Sequence, residues 1–271
     1  MKQKNKIEVR EVEKGMFGLF DENQRVLLDS GKPLSIYYKA LADAVAARLN
    51  QLEGKIIKDG RVQFLPGTML VRYASLSPQE LDESKALLVK HGRWLVALDP
   101  VNSLAAGPEQ VDQRLALKPY FNFCEAKEIE NPNWSQGPVE VDPRKDRLEA
   151  FLIQQDAKCG GSGNIDSWLA YVDTIYEEMK KLDSTRAHVV REMSAFHSEV
   201  VGGGCAVVQS LLLVTGRCTA AEYADGLLAA ACLLPCFLSK GEIKQIQKLR
   251  GGLIEDVQDA LLYIKFFAKG K

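Results

Sequence analysis

The three histidines are the first residues to consider as general bases or metal ligands, because neutral imidazole serves in both roles. His188 and His197 lie nine residues apart, about 900° along an α-helix, which puts them on opposite faces. On one continuous helix they would therefore not share a metal ion. His91 precedes Gly92 and is expected at a helix C-terminus, where the helix dipole favours a positive charge. We therefore expect structural histidines.

Two cysteines have a spacing that could bind zinc. Cys232 and Cys236 are four residues apart, which places two thiolates on one helix face, and Cys205 or Cys218 would be candidates to complete a tetrahedral site. Against this, Pro235 is expected to end the helix between them. The sequence also has no Cys-x-x-Cys pair. We expect all six cysteines to be reduced, metal-free and packed as small apolar side chains.

Two glycine-rich segments raise the question of phosphate binding. Gly160–Gly163 precedes Asn164 and a predicted helix, and helix N-termini bind anions. It follows a helix rather than a strand and has no closing Lys-Ser or Lys-Thr, so it matches neither the P-loop nor the dinucleotide-binding fingerprint. Gly202–Gly204 lies between apolar runs, where close helix packing is the simpler explanation. No catalytic residues and no cofactor are predicted from these patterns.

Composition and charge exclude several classes of function. The chain of 271 residues has a net charge of −1 and is 46% hydrophobic, so electrostatics give no reason to expect nucleic acid or an anionic membrane. Its most apolar window, Leu227–Leu238, contains Pro235 and is too short to cross a bilayer. A basic N-terminus without a following apolar segment is not a secretory signal. These features predict a soluble protein of the bacterial cytoplasm or, for a mature eukaryotic chain, of the mitochondrial matrix.

The strands are expected mostly within the first 70 residues. Ile7–Val12 alternates with the period of two that is typical of a half-buried strand. Met16–Phe20 and Arg25–Leu28 are the next predicted strands, and Asp59-Gly60 is a hairpin signal. Between them, apolar residues at helical spacing predict one helix that ends near Gly54, namely Leu41, Ala44, Val45, Leu49 and Leu52.

Most of the remaining chain is predicted to be helical. Ser77-Pro78-Gln79-Glu80 begins a helix, which is expected to end near Gly92 before a strand at Trp94–Leu98. The turn-rich segment from 130 to 143 is the expected linker. Capping boxes begin later helices at Thr219 and Ser239. The fold class is therefore α+β, with a strand-containing N-terminal domain at 1–130 and a larger, mainly helical C-terminal domain at 143–271.

The last predicted helix has an unusual charge pattern. Lys240, Lys244 and Lys248 form a stripe at successive turns near its beginning, opposite to the preference of the helix dipole. A solvated face, with the helix split at Gly251-Gly252, would account for the stripe. The alternative is a basic ridge that binds an acidic surface of a protein partner. Glu222 and Asp225 lie in the preceding segment and complete this set of candidate partner-binding residues.

Several motifs of the chain occur together in one known protein family. The segment Leu27–Leu34 leads into the Ala-rich helix at Ala40–Ala47. Gly107-Pro108-Glu109 is followed by Pro119, and Gly204–Glu222 contains a Gly-Ser-Leu pattern and a capping box. These motifs resemble the strand, turn and Leu-Ala helix, the Gly-Pro-Glu helix, and the Gly-Ser-Leu helix with its capping box in the chaperone family that helps assemble the catalytic head of the F-type ATP synthase. The resemblance implies a small α/β N-terminal domain, a helical C-terminal domain and no catalytic activity.

The resemblance covers under half of the chain and has one important departure. The family's functional glutamate belongs to an acidic-Trp-Gln segment, and the corresponding stretch here reads Ala229–Pro235 without an acid or a tryptophan. We therefore hypothesise a non-enzymatic assembly chaperone or interaction factor, with the unassembled α subunit of the ATP synthase head as the first client to test. The alternative hypothesis is a small-molecule enzyme or sensor with its pocket between the two domains, near the glycine-rich segments.

Overall fold

The computed structural model describes residues 6–52, 57–58, 60–63, 68–97, 122, 126–127, 165–200, 206–233 and 240–268. Within these ranges the side chains are described except at 58, 97, 165–168, 198–200, 228–233, 240–249 and 268. The chain divides into two compact units. Unit 1 comprises Met1–Ser84 with Gly251–Lys271, and unit 2 comprises Lys85–Arg250.

Unit 1 contains a small antiparallel sheet. Its strands are β1 (Ile7–Glu13), β2 (Met16–Asp21), β3 (Gln24–Arg25) and β4 (Ser35–Ile36), and β2 pairs with each of the other three. The first two strands confirm the period-two prediction. The predicted strand Arg25–Leu28 is shorter than expected, because Leu27 forms only isolated bridges, to Pro33 and Arg61. A second hairpin, β5 (Ile57–Lys58) and β6 (Arg61–Val62), turns at Gly60 with φ of 76°.

The helices of unit 1 are α1 (Lys39–Gln51) and the short α2 (Met69–Ala74). The predicted helical stripe is confirmed, since Leu41, Val45 and Leu49 are buried. Asn50 fixes α1 to β1 by accepting the Ile7 N–H at 2.8 Å. No sequence signal predicted α2, which begins without a side-chain cap of its own.

Helix α3 (Pro78–Ala97) corrects two expectations. The helix does not end at Gly92, and no strand begins at Trp94, because one helix continues through both positions. Gly92 is required by close packing and does not mark a helix end. A Cβ at this position would lie 2.9 Å from a ring carbon of Tyr176, which is too close. His91 is consequently an exposed residue within the helix rather than at its C-terminus.

Unit 2 is helical throughout its described part apart from short connections. It contains α4 (Ile165–Lys180), α5 (Ser184–Val200), α6 (Val207–Val214) and α7 (Ala220–Leu233). Every residue of α6 is buried, so this helix lies at the centre of the core of the unit. The predicted capping box at Thr219 is confirmed, with the Thr219 N–H donating to Glu222 at 2.9 Å and the Glu222 N–H to Thr219 Oγ1 at 3.2 Å.

The last helix, α8, extends without a break over Lys240–Ala268. The split considered at Gly251-Gly252 is therefore wrong. Its residues from Gly251 onward cluster with unit 1, whereas the sequence had placed them in the C-terminal domain. The predicted seam between 130 and 143 lies outside the described residues, so the division at 1–130 and 143–271 stays a prediction.

The α+β fold class is confirmed, with the strands in the N-terminal part and a mostly helical remainder. No helix in the described part of the chain combines the length and hydropathy needed to span a membrane. The Gly107-Pro108-Glu109 motif, the glycine segments Gly160–Gly163 and Gly202–Gly204, and the cap residue Ser239 all lie outside the described residues.

Candidate functional site

The five residues predicted to bind a partner differ in what the structure shows of them. Lys240, Lys244 and Lys248 occupy successive turns at the beginning of α8, and their side chains are outside the described set. Glu222 caps α7 through Thr219. Asp225 forms a bidentate ion pair with Arg250, with N–O distances of 2.6 and 2.9 Å. The two acids thus hold the local structure of unit 2, whereas the lysine stripe stays a prediction.

The histidines of α5 are buried, His188 to 1% and His197 to 0% exposure. His197 Nδ1 lies 2.7 Å from the hydroxyl of Tyr223 on α7, and Ser210 of α6 lies 3.4 Å from the same hydroxyl while donating to the Ala206 carbonyl. Serine, tyrosine and histidine can act together in proton transfer when substrate reaches them. Here all three are buried, and the cluster joins three helices, which is a structural role.

The described cysteine, Cys218, is a poor nucleophile. Burial raises the pKa of its thiol to about 12, with a smaller contribution from Glu222, so the reactive thiolate is not formed near neutral pH. Among the described residues no group of histidines, cysteines and acids is arranged to hold a metal ion. The side chains of the other five cysteines lie outside the described set, and their reduced state stays a prediction.

Glu178 of α4 interacts with three basic residues of unit 2. It accepts from Lys127 at 2.8 Å, Lys181 at 3.0 Å and Arg217 at 3.3 Å. These partners, with the hydrogen bond from Lys127 contributing most, lower the pKa of Glu178 from 4.5 to about 2. A carboxylate with such a low pKa is always ionised at physiological pH and is a poor general base. Its role is to hold Lys127 and Arg217 to α4 by ion pairs.

Unit 1 contains a buried charged cluster that sequence inspection did not find. Asp256 and Asp259 of α8 accept the N–H groups of Met69 and Leu70, each at 3.3 Å, and so cap the beginning of α2. Arg48 of α1 pairs with Asp259 at 2.9 Å. Burial is the largest influence on Asp259 and raises its pKa to about 6, although Arg48 opposes this.

The clearest candidate for contact with another molecule is the outward face of α3. Leu87 and Trp94 are seven residues apart on one side of this helix, and they remain 44% and 39% exposed. Lys90 lies between them and is also exposed. Tryptophan is enriched at protein-binding surfaces whereas lysine is depleted there, so Trp94 is the main reason to consider this face.

Several interactions fix this face of α3. The helix begins with a capping box in which the Ser77 N–H donates to Glu80 at 2.7 Å and the Glu80 N–H to Ser77 at 3.2 Å. Within unit 2, Arg93 pairs with Asp173 of α4 at 2.8 Å, and Gly92 lies against Tyr176. The opposite side of α3 is buried at Leu88 and Val96, so Leu87 and Trp94 are presented on a rigid element.

The outward face of α3 could not be predicted from a helix that ends at Gly92. A helix continued through Gly92 places Leu87 and Trp94 two turns apart on one stripe, which is the signal that would have found it. The burial of Asp256 and Asp259 could not have been found in this way, since an Asp on a helix usually indicates a solvated face.

Neither a family model nor a curated protein matches this sequence. Comparison with solved structures finds Atp12 from Paracoccus denitrificans, at 15% identity and a TM-score of 0.47, and a point mutant of that protein at 14% identity and a TM-score of 0.46. Each alignment covers 95% of this chain and 95% of the other. Both belong to the assembly-chaperone family whose motifs the sequence resembles.

Proposed function

We propose that this chain is a non-enzymatic assembly chaperone that binds an unassembled protein subunit. The observation that carries the proposal is the exposed pair Leu87 and Trp94 on a rigid helix face. An assembly chaperone covers an apolar surface of its client until the final partner replaces it, because such a surface otherwise aggregates. Tryptophan is enriched among the residues that dominate binding energy, and Leu87 would extend the apolar contact two turns along the helix.

The client we would test first is the α subunit of the ATP synthase catalytic head. Its support comes from the motifs at Leu27–Leu34, Ala40–Ala47 and Gly204–Glu222, which resemble the family of chaperones that act on this head. The absence of the family's acidic-Trp-Gln segment between Ala229 and Pro235 means that client binding would rely on other residues. The proposed location follows from this function: the cytoplasm of a bacterium or the mitochondrial matrix.

The lysine stripe has a separate part in the proposal. Lys240, Lys244 and Lys248 would attract an acidic client surface and raise the association rate more than the final affinity. Exposed apolar contacts on α3 would instead determine how long the complex lasts, since buried aromatic anchors act mainly on dissociation. The two surfaces can therefore be separated by kinetics.

The test is binding of purified α subunit, measured by surface plasmon resonance and by co-purification from host extract. The change Leu87→Ser with Trp94→Ser is expected to raise the dissociation rate by roughly 30-fold or more, because truncating hot-spot residues costs about 2 kcal/mol or more. The joint change of Lys240, Lys244 and Lys248 to Glu is expected to lower the association rate and to weaken its dependence on salt. The matched control, Ala86→Ser with His91→Ser, alters neighbouring exposed positions of α3 and should change neither rate.

Specific outcomes would contradict the proposal. Binding of the α subunit that is unaffected by the Leu87 and Trp94 changes would remove the α3 face from the contact. Failure to bind any protein at stoichiometric ratio, combined with a tightly bound metabolite in the native preparation, would instead support the enzyme or sensor hypothesis. Circular dichroism of each variant separates these results from loss of folding.

A further inference from the structure

The first strand of the sheet in unit 1 has one open edge. Strand β1 pairs with β2 on one side, and no other strand of the described residues pairs with it. In an antiparallel pair, residues alternate between those whose N–H and C=O groups face the neighbouring strand and those whose groups face away from it. The backbone groups of every second residue of β1 therefore point to the outer side, where they can pair with water or with another chain.

Two observations show which residues of β1 face outward. Ile7 bonds through both of its backbone groups to the side chain of Asn50, whose Oδ1 accepts the Ile7 N–H at 2.8 Å and whose Nδ2 donates to the Ile7 carbonyl at 3.3 Å. Leu19, which lies opposite Val9, accepts the N–H of the residue after β3 at 2.8 Å, on the side away from β1. Because the register is regular from Ile7 to Glu11, the backbone groups of Val9 and Glu11 face outward like those of Ile7.

The outward groups of Val9 and Glu11 are open. Within the described residues they form no hydrogen bond, whereas at Ile7 the amide of Asn50 takes the place of a neighbouring strand. Val9 is half-buried and Glu11 is exposed. The edge therefore offers the N–H donors and C=O acceptors of both residues, which is the pattern that an added strand pairs with.

The charges along β1 disfavour a second copy of this chain at the edge. In the antiparallel register that uses Val9 and Glu11 of both copies, the two Arg10 side chains lie opposite each other. A register centred on Glu11 would oppose the two glutamates. One centred on Val9 would need the backbone groups of Ile7, which are already bonded to Asn50. Like charges directly opposite on neighbouring strands are destabilising, so the edge favours a different chain.

The side chains beside the open groups define what that chain must carry. Glu11 forms no ion pair among the described residues, although its Oε1 accepts the N–H of Gly15 at 2.9 Å. Arg10 is already paired with Glu8 at 2.8 Å. A lysine or arginine opposite Glu11 would therefore form a new cross-strand ion pair, and an apolar residue opposite Val9 would cover its half-buried side chain.

We propose that the open edge of β1 binds an extended segment of another protein by strand addition, antiparallel to β1. The segment has a basic residue opposite Glu11 and an apolar residue opposite Val9. These two positions are separated by one residue, so both side chains point to the same face of the sheet. The inference is independent of the proposed function, because the client contact on α3 uses neither residue.

The open segment is short, so an isolated peptide binds it weakly. One hydrogen bond adds little net free energy in water, and only the groups of Val9 and Glu11 are open. We therefore expect a dissociation constant on the order of 1 mM for a peptide. Nuclear magnetic resonance measures binding in this range and reports it residue by residue.

The test is titration of the isotope-labelled full chain with the capped pentapeptide Thr-Lys-Thr-Val-Lys to about 5 mM, a concentration above the expected constant. Antiparallel pairing places the first lysine of the peptide opposite Glu11 and its valine opposite Val9. The amide signals of Val9 and Glu11 are expected to shift. The N–H groups of Glu8 and Arg10 face β2, so their signals should shift less and serve as the internal reference.

A matched peptide separates strand addition from contact through side chains. N-methyl groups on its first lysine and its valine keep the side chains and the charge but remove the two N–H donors that face β1. This peptide is expected to bind at least about 10-fold more weakly, because both hydrogen bonds to the carbonyls of Val9 and Glu11 are lost.

A matched pair of variants tests the basic residue. Glu11→Gln keeps an oxygen that accepts the Gly15 N–H and removes the charge, so it should weaken peptide binding roughly twofold to fivefold. Asp43→Asn removes an exposed acid of α1 and should leave binding unchanged. Circular dichroism and thermal melting of each variant establish that the chain is folded.

Four results would overturn the proposal. Signals of Val9 and Glu11 that stay in place at the highest peptide concentration mean that no strand is added. Equal binding of the N-methylated peptide means that side chains alone make the contact. Equal binding by Glu11→Gln removes the basic residue from the recognition. If the two signals instead shift with the concentration of the chain itself before peptide is added, a second copy occupies the edge.

Discussion

The two units each contain a buried polar cluster, and the clusters differ in chemistry. In unit 1 the cluster is charged: Arg48 pairs with Asp259, and the carboxylates of Asp256 and Asp259 accept backbone N–H groups of α2. In unit 2 the cluster is neutral in type, with His197, Ser210 and Tyr223 joined through the tyrosine hydroxyl. In both clusters, hydrogen bonds between protein groups replace the hydrogen bonds to water that these groups lose on burial.

The difference reflects how far apart in sequence the joined segments are. The charged cluster joins positions separated by 211 and 187 residues, so it fastens the last helix to the N-terminal part of the chain. The neutral cluster joins the consecutive helices α5, α6 and α7 over 26 residues or fewer. Burying charged groups is costly, but a buried charge that loses its partner destabilises the fold strongly. Such a pair can therefore hold together two segments that are far apart in the sequence.

The largest effect is expected from Arg48→Met, which keeps much of the side-chain volume and removes the charge. Arg48 and Asp259 have only 17% and 5% of their side chains exposed, so the substitution leaves Asp259 buried without its cation. We expect the unfolding free energy at pH 7.5 to fall by about 3 kcal/mol. Urea unfolding followed by circular dichroism measures this, with hydrogen exchange assigning the loss to unit 1.

A control separates the buried pair from a simple loss of charge. Lys39→Met removes a cation whose ion pair with Asp43 is largely exposed, and its cost should stay below about 1 kcal/mol. Equal costs for the two variants would show that the charged cluster of unit 1 contributes no more than a surface pair.

The next effect concerns pH, and it distinguishes unit 1 from unit 2. The folded pKa of Asp259, about 6, lies above its ordinary value of 3.8 mainly because of burial. The folded protein therefore binds more protons than the unfolded chain, and this contribution to stability is present at low pH and is lost as the pH rises through 6. Between pH 7.5 and pH 5 it amounts to roughly 1.4 kcal/mol.

Asp259→Asn removes this titration and keeps an oxygen that can accept the Leu70 N–H. The unfolding free energy of the variant should therefore lack the gain of wild type between pH 7.5 and 5. Glu178 does not interfere in this window, because its folded pKa is about 2, so its contribution is present above 4.5 and lost only as the pH falls through 2. A variant with the same pH dependence as wild type would show that Asp259 is not the titrating group.

The sequence predicted those features that depend on neighbouring residues. The capping boxes at Ser77 and Thr219 are present, since both partners of a box lie within one turn, and the alternation of Ile7–Val12 gave β1 correctly. The end of α3 was predicted wrongly because Gly92 was taken as a stop signal, whereas the ring of Tyr176 requires a glycine there. Tyr176 lies 84 residues from Gly92 in the sequence, so no local pattern could indicate this contact.

The candidate surfaces show the same limit of local patterns. The lysine stripe of α8 was visible because Lys240, Lys244 and Lys248 are equally spaced. The exposure of Leu87, Trp94, Leu261 and Leu262 was not visible, because an apolar residue at helical spacing indicates burial unless the three-dimensional arrangement places it outward. The buried acids Asp256 and Asp259 are the converse case, since charge ordinarily indicates exposure.

The smallest effect is expected in the neutral cluster of unit 2. Tyr223→Phe keeps the buried ring and removes the hydroxyl that lies 2.7 Å from His197 Nδ1, so the loss should be about 1 kcal/mol, the typical cost of one neutral hydrogen bond. Hydrogen exchange should show faster exchange in α5, α6 and α7 with unit 1 unchanged. Tyr37→Phe, at a tyrosine that is 38% exposed, is the matched control and should stay within about 0.5 kcal/mol of wild type. A loss as large as that of Arg48→Met would contradict the contrast between the units, because it would mean that the neutral cluster holds its helices as strongly as the charged cluster holds α8.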